Sequence, residues 1–195
     1  FGMTDWAQEV ADEFAAAGYI AVAPDLLSGM GPNGGRTTSF AQGQATEAVS
    51  HLNPDQITGD LNAAADYALK LPAAEHELFV AGFCWGGGQS FRFATNRKGL
   101  AAALVFYGPP PDKEAMARID APVYGFYGGN DARIDATIPK AKEEMKALGK
   151  TYEPVVYEGA GHGFMRAGEA PDASEGNRKA RDEAWVRVKK ILKGE

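Results

Sequence analysis

The sequence predicts an α/β architecture with a mostly parallel sheet, on two observations. Short apolar runs, each about as long as a buried strand, alternate with longer segments whose apolar residues recur at helical spacing. Glycine, proline or a capping residue stands at most of the boundaries between these segments. The chain has 195 residues, of which 45% are apolar and 24% charged, and these ordinary globular values suit one domain over residues 1–195.

The helices are predicted from their apolar faces and their end signals. The first follows the capping residues Thr4 and Asp5 and ends at Gly18, and another begins at Asn53–Pro54, an N-cap followed by proline in the first turn. Further helices are predicted at about 85–96, 138–148 and 175–192. Residues 28–53 form a long polar loop with a helical turn near 43–51, and loops this long are usually functional or mobile.

Five apolar runs have the length and composition of strands in a parallel sheet. They are residues 19–23, 78–82, 102–107, 123–127 and 154–157. We therefore expect a five-stranded sheet whose strands are joined by helical crossovers.

Charge and cysteine content exclude several classes of function. A net charge of −6 without a basic stripe argues against nucleic acid or an anionic membrane as partner. No apolar run approaches the ~18 residues that indicate a membrane span. The single cysteine, Cys84, cannot form an internal disulfide and is either a small buried hydrophobe or a reactive thiol. No signal peptide is visible, which leaves the compartment unassigned, with the cytoplasm favoured over the periplasm.

The most informative motif is the run Gly82-Phe83-Cys84-Trp85-Gly86-Gly87-Gly88, between an apolar run and a helix. It matches the G-x-nucleophile-x-G elbow of α/β-hydrolases, with cysteine in place of serine. The glycines are needed because the nucleophile occupies a strained turn whose flanking backbones approach closely. The start of a helix favours the thiolate, and the Trp85 N–H would face a developing oxyanion. The alternative is a buried cysteine beside a glycine-rich turn that packs a helix against a strand.

An acid and a base follow the elbow in the order that α/β-hydrolases use. Asp131 comes after the run 123–127, and His162 comes after the run 154–157. The carboxyl ends of parallel strands meet at one edge of the sheet, so we expect both residues to lie near Cys84. His162 would accept and return the thiol proton, and Asp131 would hold the imidazole in one tautomer.

Other residues remain possible in these roles. Asp135 is an alternative acid, although it lies further from the strand and is expected to begin the next helix. His51 lies in the long loop and His76 in a charged turn, so neither is favoured as the base. Asp25, after the first apolar run, is interpreted as a turn or cap residue.

Four segments together resemble the dienelactone hydrolase family over essentially the whole chain. They are Ala-Pro-Asp-Leu-Leu at 23–27, the cysteine elbow, Tyr107–Gly108 and Gly-His-Gly-Phe at 161–164. The resemblance implies an α/β-hydrolase fold, with a doubly wound sheet and helices on both faces. It also implies hydrolysis of carboxylic esters, or of the lactone ring of carboxymethylenebutenolide, through a Cys-His-Asp triad and a thioester acyl-enzyme. No cofactor and no metal are implied.

The resemblance also implies residues that bind the substrate, a small-molecule ester or lactone. Arg166, four residues after His162, matches an arginine that holds the substrate carboxylate, the alternative being a solvated surface arginine. Tyr107 is a second candidate, and Arg36 a third as the one arginine of the long loop. Gly163 stands where the lactone hydrolases typically have serine, which removes one hydrogen bond to the substrate. A monomer or a homodimer is expected.

Members of this family have two or three strands before the position of Phe1. The last is a central strand, expected between the runs 19–23 and 78–82. We therefore expect an N-terminally truncated domain with unpaired inner strand edges. Such a chain would be weakly stable, and poorly active because one oxyanion donor typically contributes ~10²–10³ in rate.

Other functions stay open beside the leading one, a cysteine-dependent ester or lactone hydrolase. One is a catalytically impaired binding domain of the same fold, and another is a hydrolase of organophosphate esters on that scaffold. A redox-sensing thiol protein would use Cys84 alone, but the chain has no second cysteine to resolve an oxidised thiol.

Overall fold

The computed structural model describes residues 1–41 and 43–195. These residues form two compact units, Phe1–His76 and Glu77–Glu195. The single domain expected over residues 1–195 remains a prediction.

The first unit contains helices at the places that the sequence predicts. They are α1 (Asp5–Ala16), α2 (Gln44–Ser50) and α3 (Pro54–Leu69), with short 3-10 turns at Pro32–Gly34 and Thr37–Ser39. Capping explains the helix starts, because the Thr4 hydroxyl oxygen accepts from the Ala7 N–H at 3.3 Å and the Asn53 side-chain oxygen accepts from the Asp55 N–H at 2.8 Å.

The predicted strand at residues 19–23 is wrong, because the structure assigns no strand there. Ile20 and Val22 are 45% and 39% exposed instead of buried. A β-strand is defined by hydrogen bonds to a neighbouring strand. An apolar run of this length indicates a tendency to be extended and buried, but it does not specify a partner.

Asp25 organises the loop that follows. Its carboxylate accepts hydrogen bonds from the Leu27 N–H at 3.0 Å, the Thr37 N–H at 3.0 Å and the Thr37 hydroxyl at 2.6 Å. The first of these is the Asx-turn bond that favours aspartate in turns. Asp25 is thus a turn residue that also fastens the backbone just before the long loop to Thr37 within it.

The second unit is built on a parallel sheet of four strands within the described residues. They are β1 (Phe79–Phe83), β2 (Ala102–Phe106), β3 (Val123–Gly128) and β4 (Tyr152–Tyr157), arranged in that order. Each matches a predicted run to within two residues. All five residues of β2 are buried, whereas β1, at the sheet edge, exposes Ala81.

Helices connect these strands and pack around the sheet. They are α4 (Trp85–Asn96), α5 (Lys113–Met116), α6 (Ala132–Asp135), α7 (Ile138–Ala147), α8 (Phe164–Ala167) and α9 (Glu175–Leu192). Helix α4 packs on β1 and β2, α7 on β4, and α9 on α8. Because every strand is parallel to its neighbour, the carboxyl ends of β1, β3 and β4 meet at one edge of the sheet. The loops at that edge carry the candidate site.

Candidate active site

Cys84 lies on a strained turn between β1 and α4. Its φ of 57° is in the left-handed region, which costs a residue other than glycine about 1–3 kcal/mol and persists only where the surroundings enforce it. Close backbone packing enforces it here, since a Cβ at Gly82 would lie 1.9 Å from the Gly86 carbonyl oxygen. The turn leaves the Cys84 side chain exposed at the carboxyl end of β1.

The start of α4 places backbone donors beside the thiol. Cys84 is the N-cap residue, and its carbonyl oxygen accepts from the N–H groups of Gly87 at 3.0 Å and Gly88 at 3.3 Å. The N–H groups of Trp85 and Gly86, the first two residues of α4, cannot bond within the helix. They can donate hydrogen bonds to an anion that forms next to Sγ, and the positive end of the helix dipole also favours that anion. The oxyanion role of Trp85 remains a prediction.

The structure brings Asp131 and His162 to the thiol. Asp131 follows β3 in a tight turn, in which its N–H donates to the Gly128 carbonyl oxygen at 2.8 Å. Asp131 Oδ2 lies 2.5 Å from His162 Nδ1, and His162 Nε2 lies 3.2 Å from Cys84 Sγ. The predicted acid, base and nucleophile therefore form one continuous series of contacts.

Exposure increases along this series. The Asp131 side chain is 7% exposed and that of His162 is 34% exposed, whereas Cys84 is open to solvent. A buried carboxylate against Nδ1 favours the tautomer that carries its hydrogen there, which leaves Nε2 to accept a proton. The arrangement can take a proton from Sγ and later return it to a leaving group.

Asp135, the alternative acid, lies one helical turn beyond Asp131. Its backbone N–H donates to the Asp131 carbonyl oxygen at 2.9 Å, at the end of α6. Burial, and then the negative charge of Asp131, raises the pKa of the Asp135 carboxyl. The structure thus places the Asp131 carboxylate against the imidazole, whereas Asp135 is the last residue of α6.

Tyr107 lies beneath the histidine ring. Its ring meets that of His162 edge to face, with the centroids 5.1 Å apart, and that of Phe164 at 5.4 Å. The side chain is only 2% exposed, and its burial raises the pKa of the Tyr107 phenol far above its ordinary value, so the hydroxyl stays neutral. The covered ring packs against His162 and offers little surface to a substrate, and the substrate-binding role expected for Tyr107 stays a prediction.

We expect Tyr107→Leu to lower the rate of ester hydrolysis about 10²-fold, because a small misplacement of a catalytic group has effects of this size. Tyr107→Phe keeps the aromatic edge against His162 and should retain most of the activity. Steady-state rates, normalised to the folded fraction from thermal melts, give the comparison. Equal rates for the two variants would mean that the ring does not position the histidine.

The sequence of this chain was compared with models of known protein families. The family model described as "Dienelactone hydrolase family" matches residues 1–195. The chain belongs to the dienelactone hydrolase family. The resemblance inferred from the elbow and the histidine segment is therefore confirmed.

Relatives within the dienelactone hydrolase family support the same assignment. A candidate carboxymethylenebutenolidase of Methylorubrum extorquens is 35% identical over 176 residues, which cover 84% of this chain and 60% of that protein. One from Salmonella typhimurium is 29% identical and covers 96% of this chain and 72% of that protein. The chain thus spans 60% to 72% of the length of these two curated relatives.

Solved structures confirm the α/β-hydrolase fold. A candidate dienelactone hydrolase from Klebsiella pneumoniae superposes with a TM-score of 0.81 at 27% identity, covering 96% of this chain and 80% of that one. A dienelactone hydrolase-like promiscuous phosphotriesterase from metagenomic libraries also gives 0.81, at 20% identity, with coverage of 100% and 82%. At that identity the second likeness concerns the fold alone.

The other predicted site residues lie outside the series of contacts. Arg166 is exposed on α8, four residues after His162, and Arg36 is exposed in the first unit. His51 is exposed in the first unit, where its Nδ1 lies 2.8 Å from the Glu47 carbonyl oxygen. The substrate-binding roles of the two arginines stay predictions.

One residue that touches the histidine segment, Asn177, carries no functional signal in the sequence. The Oδ1 atom of Asn177 accepts a hydrogen bond from the Gly161 N–H at 2.8 Å, directly before His162. No motif surrounds Asn177 in the sequence, and an asparagine in the first turn of a helix usually serves that helix alone.

Proposed function

We propose that this chain hydrolyses carboxylic esters or lactones through a thioester formed on Cys84. The observation that carries the proposal is the series of contacts from Asp131 through His162 to Sγ, at the edge where three parallel strands end. A nucleophile held by a base, and a base held in turn by a third group, is the arrangement that covalent catalysis requires. Membership of the dienelactone hydrolase family supports the same chemistry.

In the acylation step, Cys84 Sγ attacks the carbonyl carbon of the ester while its proton passes to His162 Nε2. The carbonyl oxygen becomes an oxyanion, which the Trp85 N–H at the start of α4 stabilises in this proposal. Collapse of this intermediate breaks the carbon–oxygen bond, and His162 gives its proton to the departing alkoxide. In a lactone the alcohol remains attached to the acyl group.

In the deacylation step, His162 takes a proton from water, and the resulting hydroxide attacks the thioester carbon. The second tetrahedral intermediate collapses, and Sγ leaves as the thiolate beside the imidazolium. The carboxylic acid departs, and the imidazolium returns its proton to Sγ, which restores the site. Asp131 stabilises the imidazolium in both halves of the reaction without being protonated itself.

The proposed partner is a small molecule, and the steps above use no cofactor. Arg166 is proposed to attract a carboxylate on the substrate, because it is an exposed, positively charged residue of α8, four residues after His162. Within residues 1–41 and 43–195, none of the helices is both long and apolar enough to cross a bilayer. Compartment and oligomeric state remain as predicted from the sequence.

The test is hydrolysis of p-nitrophenyl acetate by the chain and by Cys84→Ala, with intact-mass analysis of the quenched reaction. We expect the chain to gain the mass of one acetyl group and to release p-nitrophenol, and Cys84→Ala to do neither. The removal of a catalytic nucleophile typically costs ~10⁴-fold or more in rate. Hydrolysis at an undiminished rate in Cys84→Ala would contradict the mechanism, whereas no turnover by either protein would favour a binding function for this fold.

A further inference from the structure

The loop that carries His162 is bound to its neighbours on two sides. On the β3 side, the Gly129 N–H donates to the Tyr157 carbonyl oxygen and the Asn130 N–H donates to the Ala160 carbonyl oxygen, each at 2.9 Å. These bonds join the histidine loop to the turn that carries Asp131. They fix the distance between the two loops, but neither bond involves the Gly161 N–H, which directly precedes His162.

The second side is the first turn of α9. Asn177 Oδ1 accepts from the Gly161 N–H at 2.8 Å, across 16 residues of chain. The Asn177 backbone is itself held, because its N–H donates to the Ser174 hydroxyl oxygen at 3.2 Å in the N-cap of α9. A Cβ at Gly176 would lie 2.4 Å from the Gly159 carbonyl oxygen, so helix and loop are in direct backbone contact.

In the hydrogen bond between Gly161 and Asn177, the donor and the acceptor cannot exchange roles. An N–H group can be satisfied only by an acceptor, so the side-chain oxygen of Asn177, and not its amide nitrogen, must face Gly161. The loop needs such a bond because Gly159 and Gly161 have no Cβ, and glycine is the residue with the greatest conformational freedom. An anchored helix therefore restrains a glycine-rich loop at the peptide adjoining the base.

We propose that Asn177 is a positioning residue, which orients His162 toward Cys84 through the Gly161 N–H. This inference rests on the proposed function, since it assigns Asn177 a part in the same site. Without the acceptor, the Gly161 peptide can rotate, and His162 Nε2 leaves its position 3.2 Å from Sγ. A displacement of about 1 Å at a catalytic group can lower the rate about 10²-fold.

The experiment compares Asn177→Leu, which removes the acceptor at similar volume, with Asn177→Asp, which keeps an acceptor oxygen. The control Asn96→Leu makes the same change at an exposed position at the end of α4. Two quantities are measured for each folded protein: p-nitrophenyl acetate turnover, and the pH dependence of Cys84 alkylation by iodoacetamide. The second reports contact between His162 and the thiol, which a purely structural role of Asn177 would leave unchanged.

We expect Asn177→Leu to lower kcat about 10- to 100-fold and to move the alkylation profile toward that of a free thiol. Asn177→Asp and Asn96→Leu should stay within about 3-fold of the parent in both measurements. Asn177→Ser, whose shorter side chain withdraws the acceptor from Gly161 with a smaller change in packing, replaces Asn177→Leu if that variant does not fold.

Two results distinguish a failure of the positioning role of Asn177 from a failure of the hydrolase proposal. If the parent shows an alkylation profile that depends on His162, and Asn177→Leu or Asn177→Ser leaves it unchanged, the positioning role is wrong while the hydrolase proposal stands. If His162→Ala does not alter the profile of the parent, the base is not coupled to the thiol, and both proposals are overturned.

Discussion

Replacement of His162 by alanine is expected to reduce ester hydrolysis about 10⁴-fold or more, because it removes the imidazole that contacts both Sγ and the Asp131 carboxylate. In the proposed mechanism the imidazole passes a proton from Sγ to the leaving alkoxide in acylation and takes a proton from water in deacylation, so both halves of the reaction would lose their acid–base catalyst. Thermal stability should change little, since the ring is one-third exposed and no large cavity forms.

His51→Ala is the matched control for this prediction. It makes the same chemical change at an exposed histidine at the end of α2, whose ring contacts backbone of its own helix. We expect its rate to equal that of the parent within about 2-fold, since surface changes have small effects. Initial rates with p-nitrophenyl acetate and the rate of Cys84 alkylation provide the comparison. A His162→Ala protein that keeps more than a tenth of the parental rate would exclude His162 as the base.

Substitution of Gly82 by alanine should produce the largest loss of stability at the elbow. The added Cβ would lie 1.9 Å from the Gly86 carbonyl oxygen, 2.4 Å from its carbonyl carbon and 3.0 Å from the Gly87 nitrogen. All three are backbone atoms, so relief requires a shift of β1 relative to α4. We expect a loss of about 3 kcal/mol or more in the free energy of unfolding, at the upper end of overpacking effects.

Gly86→Ala provides the control two residues from the nucleophile. Apart from its chain neighbours and the backbone of α4 itself, a Cβ at Gly86 would meet no heavy atom of the described residues within 4 Å, and the residue is in the first turn of α4. Alanine there should be neutral or should stabilise the protein by up to about 1 kcal/mol, because alanine favours the helix. Thermal and urea unfolding of both variants measures the difference. Equal midpoints for Gly82→Ala and Gly86→Ala would show that the contact at the elbow is not a constraint.

The order of the site along the chain could be predicted from local features. A glycine-flanked cysteine between a strand and a helix, an aspartate after a later strand and a histidine after the last one are sequence patterns with a geometric consequence. Parallel strands end at one edge, so residues 78 positions apart in the case of Cys84 and His162 come within 3.2 Å. No side-chain detail was needed for that inference.

The strand predicted at residues 19–23 was wrong because strand formation depends on a pairing partner, which a local pattern does not specify. Their apolar composition resembles that of β2, but β2 has a neighbour on each side and the segment 19–23 has no strand assignment. Hydrogen bonds between strands are contacts over long sequence separation, and composition describes only the local segment. The same limitation applies to Tyr107, whose aromatic side chain is compatible with a pocket wall and with a buried support.

The sequence by itself determined the parallel α/β fold, the candidate nucleophile and the order in which its candidate partners follow, because helical and strand periodicity, glycine steric requirements and strand polarity are local properties. Only the tertiary structure decided which carboxylate faces the imidazole, that Tyr107 lies beneath His162, and that Asn177 bonds to the adjoining peptide. These depend on distances of a few ångströms between distant segments, which packing sets and no local pattern records.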